Sequence, residues 1–211
     1  MFIQIIKFMS AENITTEISL FLNNLRSQTS ESHKNLEAIP ISKLLVNPNI
    51  SLHAYSLYLS LMHDVVSDFE KYIYPIVENT IPDISERKKA SFILNDLKFI
   101  GEEKKKTRSF FKNSDLNFTL PFAMGMLYVL EGSTLGGRFI LKNIQENLGL
   151  DEEKGISYFA GYGNKTGSYW KKFLNNLTEF ESLTNSEKDI IAGADYAFRM
   201  IGNHLSENSS L

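Results

Sequence analysis

The stretch LYVLEGSTLGGRFILKNI, Leu127 to Ile144, decides the fold. Its apolar residues recur at the spacing of a buried helix, yet Gly132, Gly136 and Gly137 stand in its middle. Each glycine costs about 1 kcal/mol against alanine in a helix interior. Gly132 and Gly136 are four apart and therefore share one face. Something must compensate for three poor helix formers at the centre of so apolar a segment.

Outward from this stretch the pattern is helical nearly everywhere, with no convincing alternation of strand type. The spacing predicts a first helix from about Ile14 to Ala38, ending before Pro40. ISKLLVNPNI reads as a connector. A long helix then starts behind Ser51, a good N-cap, and runs towards Val77 with Pro75 in its last turns. Another is expected over Asp83 to Glu103. The segment holding the glycines begins near Pro121 and stops at Gly149. FAGYGNKTGSYW reads as a glycine-rich turn leading into a helix through about Phe180. TNSE, Thr184 to Glu187, matches a capping box for the last helix. There is no internal repeat and no dividing linker, so the expected architecture is a single all-α helical bundle.

The chain has 211 residues, is 43% hydrophobic and 22% charged, and can therefore bury a sizeable core. Its net charge of −3 is spread along the sequence without a long basic stripe, which argues against a nucleic-acid partner. The one dense charge run, EEKKKTR (Glu102 to Arg108), reads as a solvated helix end or loop. The absence of cysteine removes disulfides, thiolate metal sites and cysteine nucleophiles. No apolar run reaches the roughly 20 residues needed to span a bilayer. The apolar start MFIQIIKFM lacks a clear cleavage site and reads as an N-terminal arm over residues 1–10, with residues 11–211 forming the domain. The expected compartment is the cytoplasm, with no membrane partner.

LRSQTSESHKNLE carries the second informative feature. Ile18, Leu22, Leu25, Thr29, His33 and Leu36 fall on one helix face, so His33 points inward. Arg26 lies near the same stripe. Glu37, one turn later, can hydrogen-bond the imidazole, fix its tautomer and present the other ring nitrogen as a ligand. An ordinary half-buried histidine has the same pattern. His53, His63 and His204 read as surface or packing residues.

Inventory excludes several chemistries. A di-iron carboxylate bundle wants Glu-x-x-His pairs, but the residues three before the histidines are Ser30, Ile50, Ser60 and Ile201. Thiolates and clustered histidines for structural zinc are missing. There is no GxSxG elbow and no P-loop.

Together, TSESHKNLE, YVLEGSTLGG and GYGNKTGSYWKKF (Gly161 to Phe173) resemble the heme oxygenases, particularly their bacterial, biliverdin-producing branch. The likeness runs in order from about Arg26 to Phe198. It implies heme held between a proximal helix and a kinked distal helix. His33 would be the axial ligand of heme iron, with Thr29 and Glu37 in the same motif. Arg26 would meet a heme propionate. Gly132 and Gly136 would match distal glycines that lie against the porphyrin, because a flat macrocycle approaches a helix only where no Cβ intervenes. Close helix–helix packing through small residues is the competing explanation. Many members carry an aspartate just after the first of these glycines, whereas this chain has Ser133, a hydroxyl that anchors water but carries no charge. Thr134 could help it.

The resemblance further implies oxidative ring opening of heme, substrate and cofactor at once, to biliverdin with release of carbon monoxide and ferrous iron. Dioxygen and external electrons are needed. No flavin or nicotinamide fingerprint is visible, so a ferredoxin or flavoprotein reductase is the implied partner. Iron acquisition and chromophore supply to a bilin-binding photoreceptor are both suitable ends. Further propionate cations are Lys34, Arg138, Lys171 and Lys172. Tyr128 and Phe198 face the pocket or the adjoining core, and Tyr162 and Trp170 pack the third segment. A heme-binding or storage protein without turnover is the alternative. A third is a bundle of the wider superfamily with another ligand, although the cysteine nucleophile of its thiamine-degrading members is absent.

Overall fold

The computed structural model describes residues 20–104, 107–111, 117–151 and 154–209; the predicted N-terminal arm and the predicted start of the first helix lie outside them. Helix α1 (Leu20–Ala38) buries Phe21, Leu22, Leu25 and Thr29. It ends where Pro40 forces Ile39 into an extended conformation, φ −61° and ψ 137°. The following segment is not a plain connector: Pro40–Leu44 form a short helix, α2, with proline in the first turn, where its missing N–H costs nothing.

Helix α3 (Leu52–Asp68) starts as expected, with the Ser51 hydroxyl accepting from the Ala54 main-chain N–H at 3.1 Å. It does not continue unchanged to Val77. Phe69–Ile73 widen into a π turn before α4 (Tyr74–Val77), and the Tyr74 N–H bonds back to the Phe69 carbonyl. Pro75 has no N–H for the regular ladder, and the wider turn absorbs the defect.

The helix expected over Asp83 to Glu103 is shorter and broken. A 3-10 turn spans Ile84–Arg87, Lys88 is extended, and α5 covers Ala90–Phe99. The cause is a cap from elsewhere: the Glu70 carboxylate accepts from the main-chain N–H groups of Lys89 at 2.6 Å and Ala90 at 2.8 Å. The charge run that follows is not simply solvated. Lys104 Nζ lies 2.7 Å from the buried Asp64 carboxylate, and the Arg108 N–H donates to Asp64 at 2.9 Å.

Helix α6 (Leu120–Leu148) is helical without interruption through its glycines, with Pro121 in the first turn and Gly149 closing it at φ 67°. After α7 (Ser157–Ala160) and a 3-10 turn come α8 (Thr166–Thr184) and α9 (Glu187–Asn208). The capping box does not form. Thr184 ends α8, its hydroxyl donating to the Phe180 carbonyl at 2.8 Å, and Asn185 makes a left-handed turn at φ 51°. Ser186, the N-cap of α9, makes no side-chain capping bond.

Helix α9 packs along both α6 and α1 and so joins the two walls of the site. At its crossing with α6 the backbones touch. A Cβ on Gly125 would lie 1.8 Å from the Ile190 carbonyl oxygen, and one on Gly193 would lie 2.0 Å from that of Phe122. Among the described residues the fold is all-α, with only isolated bridges around Asp151. No helix among them is long and apolar enough to cross a membrane.

Candidate functional site

A cavity of about 320 Å³ opens between α1, α3, α6 and the segment carrying Arg87 and Lys89. From α1 it receives His33 and Glu37, from α6 Leu130, Ser133, Thr134, Gly136, Gly137 and Ile140. Tyr58, Met62, Val66, Tyr158 and Phe159 supply most of the remaining apolar surface. Part of the lining is deeply buried, with Arg87 fully enclosed and Lys89 5% exposed. Lys43 and Val46 also line it and are exposed, marking its rim.

His33 is placed by the inward stripe of α1. Its ring stands edge-on to Phe198 of α9 at 5.1 Å between centroids, and Nε2 lies 3.8 Å from a Glu37 carboxylate oxygen. Burial lowers the imidazole's proton affinity and the Glu37 carboxylate partly opposes this, leaving it below the ordinary histidine value. The neutral, metal-competent form is therefore favoured at neutral pH.

The glycines of α6 do different work. A Cβ on Gly136 would meet nothing within 4 Å, so bare main chain faces open space there. On Gly137 a Cβ would lie 3.0 Å from the Phe159 carbonyl oxygen. Gly132 is not among the lining residues; a Cβ there would sit in ordinary contact with the Trp170 ring, 3.4 Å away. Ser133 lines the cavity and its hydroxyl donates to the Leu130 carbonyl at 2.6 Å, leaving the oxygen's lone pairs to accept. Thr134 does the same towards Glu131 at 2.7 Å.

The other candidates are dispersed. Arg26 is not among the lining residues; its guanidinium lies against the Tyr128 hydroxyl and partly offsets the rise that burial imposes on it. Tyr128 is buried and packs on Trp170 at 5.5 Å. Thr29 is buried and bonds the Leu25 carbonyl within α1. Arg138 donates to the Gly163 carbonyl at 3.1 Å. Lys172 lies 3.1 Å from Asp83, while Lys34 and Lys171 are exposed. Tyr162 stacks on Tyr169 at 4.3 Å and Trp170 on Phe173 at 5.7 Å, packing the third segment as expected.

The sequence did not disclose the buried charges beside the cavity. Arg87 forms a forked contact with Asp83, at 3.2 Å and 3.0 Å, and a short ion pair with Glu131. Lys89 donates to the Tyr162 hydroxyl at 2.5 Å, and that hydroxyl donates to Glu131 at 2.8 Å. One signal was present: Glu131, a charged residue inside the most apolar segment, required buried cations. Lys43, the exposed cation at the rim, was hidden inside a segment read as a connector.

The arrangement suits a flat, largely apolar ligand with a metal centre and peripheral charge. A neutral imidazole, an open glycine face and aromatic walls fit heme, and the rim offers a cation for its carboxylates.

Comparison with known proteins agrees. A family model for heme oxygenase matches residues 19–207. Heme oxygenase PigA of Pseudomonas aeruginosa is 29% identical over 188 residues, covering 86% of this chain and 92% of that protein. The NO- and CO-bound heme oxygenase of Neisseria meningitidis superposes with a TM-score of 0.71 at 26% identity, covering 90% of this chain and 92% of that one. Heme oxygenase-1 of the cyanobacterium Synechocystis, solved with heme, shares the fold at a TM-score of 0.71 and 17% identity, over 90% and 93% of the two chains. The chain belongs to the heme oxygenase family.

Proposed function

We propose that the protein opens the heme ring oxidatively to biliverdin, releasing carbon monoxide and ferrous iron, with dioxygen and external electrons as co-reactants. The observation that supports this is one cavity lined both by the half-buried imidazole of His33 and by main chain at Gly136 and Gly137. Heme, when bound, supplies the iron that activates oxygen and the ring that is opened.

The residues divide the remaining work. His33, in its neutral form, would hold the heme iron, and Phe198 and Glu37 restrain its ring. Gly136 admits the flat face to the α6 backbone. Ser133 and Thr134 hold water by their hydroxyl oxygens without placing a strong acid beside the reacting centre. Tyr58, Met62, Val66 and Phe159 exclude bulk water. Lys43 at the rim takes a propionate. A ferredoxin or flavoprotein reductase delivers the electrons, in a cytoplasmic setting.

One observation favours the second reading, heme binding without turnover: Ser133 spends its proton on Leu130, so that position offers neither charge nor acid. Titration with hemin followed by ascorbate or a reductase system separates the two. Loss of the Soret band with growth of a bilin absorbance supports ring opening. A Soret band that persists under reductant supports storage, and no Soret complex at all ends both readings.

A further inference from the structure

Tyr58, Tyr74 and Tyr158 line the cavity. A buried tyrosine usually finds a partner for its hydroxyl. Tyr74 donates to the Arg87 carbonyl at 3.2 Å, and Tyr55 nearby on α3 donates to the Gly155 carbonyl at 2.7 Å. Tyr58 and Tyr158 depart from this pattern. Neither hydroxyl bonds another described residue, and neither oxygen is sealed off from open space. Burial raises both hydroxyls above the ordinary tyrosine value, so the space they reach is the cavity rather than bulk water, and both remain protonated donors. Tyr58 adds to the rise at Tyr158, which puts the two hydroxyls in one neighbourhood.

Phe159 connects the pair to α6. Its ring stacks on Tyr58 at 6.0 Å and meets Tyr158 edge-on at 5.1 Å between centroids. The same ring lies 3.7 Å from where a Cβ on Gly137 would sit. Two unpaired donors therefore stand one ring away from the glycine stretch, in a lining that is otherwise largely apolar. Heme gives them nothing to hold. Apart from its two carboxylates, it presents only carbon and hydrogen at its edge. Ring opening removes one meso carbon and leaves a lactam carbonyl oxygen on each flanking pyrrole.

We propose that Tyr58 and Tyr158 form a subsite for the ring-opened product, donating their protons to the lactam oxygens of a linear tetrapyrrole. The inference rests on the heme reading and extends it from the substrate to the product. Pairing a buried donor that is otherwise left unmade favours the open chain over the closed ring.

Biliverdin and hemin, titrated separately into the same protein, are the probes. In the double variant Tyr58→Phe, Tyr158→Phe the rings stay and only the hydroxyls are lost. Biliverdin affinity should fall by about tenfold relative to hemin affinity, the loss of two neutral hydrogen bonds. A merely structural role leaves that ratio unmoved. A ratio within about twofold of wild type overturns the proposal, as does a wild type that binds hemin but not biliverdin. A crystal structure of the wild-type biliverdin complex tests it without a variant. A hydroxyl of the pair should lie within about 3.2 Å of a lactam oxygen. If neither does, the proposal is overturned. Failure of the wild type to bind hemin would instead end the functional reading itself.

Discussion

At the scale of single residues, His33 and Gly136 carry the account, and each makes a separable prediction. His33→Ala should retain some hemin affinity, because the apolar walls remain, but lose ring opening. Turnover assays without added imidazole check this, and full activity would contradict the axial role. Because burial holds the imidazole below its usual proton affinity, hemin binding should stay level as pH falls from 8 to about 6.5 and weaken only below that. Affinity that already declines above pH 7 would indicate a raised histidine. Gly136→Ala should leave folding intact or slightly firmer, since a Cβ there meets nothing within 4 Å. Hemin affinity should drop by about tenfold, because the added methyl occupies the ligand's face. These two residues were legible from helical spacing and motif. Gly132 and Arg26, which the resemblance sets near the heme, do not line the cavity, and periodicity does not reveal that the Trp170 ring lies beside one and that Tyr128 engages the other. Lys89 gave no sequence signal, because its burial depends on Glu131 and Tyr162, distant in the chain.

Elements position those residues through the contacts of α9 with both α6 and α1. Gly125 and Gly193 let α6 and α9 touch backbone to backbone, so alanine at either should cost at least about 1–3 kcal/mol in denaturant unfolding. A neutral result at both would mean the helices are farther apart. Glu131 holds the Arg87 segment against α6 from a fully buried position. Replacing one partner of such a pair leaves an uncompensated charge, so Glu131→Leu should destabilise by about 3–5 kcal/mol. Stability unchanged within error would show the pair to be solvated. The long helices were legible because apolar periodicity and their stops, Pro40 and Gly149, agree. The break before α5 and the π turn at Phe69 were not, since one depends on a cap from Glu70 and the other on how the chain absorbs Pro75. The TNSE pattern was a false signal, because Thr184 bonds back into α8 instead.

For the whole molecule, acid stability should report the tie between α3 and the segment after α5. Burial raises the Asp64 carboxyl, but contacts from His204, Lys104 and the Arg108 main chain outweigh it and leave it below the usual carboxylate range. Its stabilisation is therefore present above about pH 4 and lost as pH falls through the lower native value. Asp64→Asn should lower the melting temperature at pH 7 and flatten its decline below pH 4; an unchanged profile would show that Asp64 does not link these segments. The all-α class follows from the sequence because nearly every segment shows one period, whereas the cavity between helices arises only once they pack. The most direct test of the account is the crystal structure of the hemin complex. It should show iron bound by His33 and the porphyrin lying against the α6 main chain at Gly136. Iron ligated by any other residue, or a macrocycle seated outside this cavity, would contradict it.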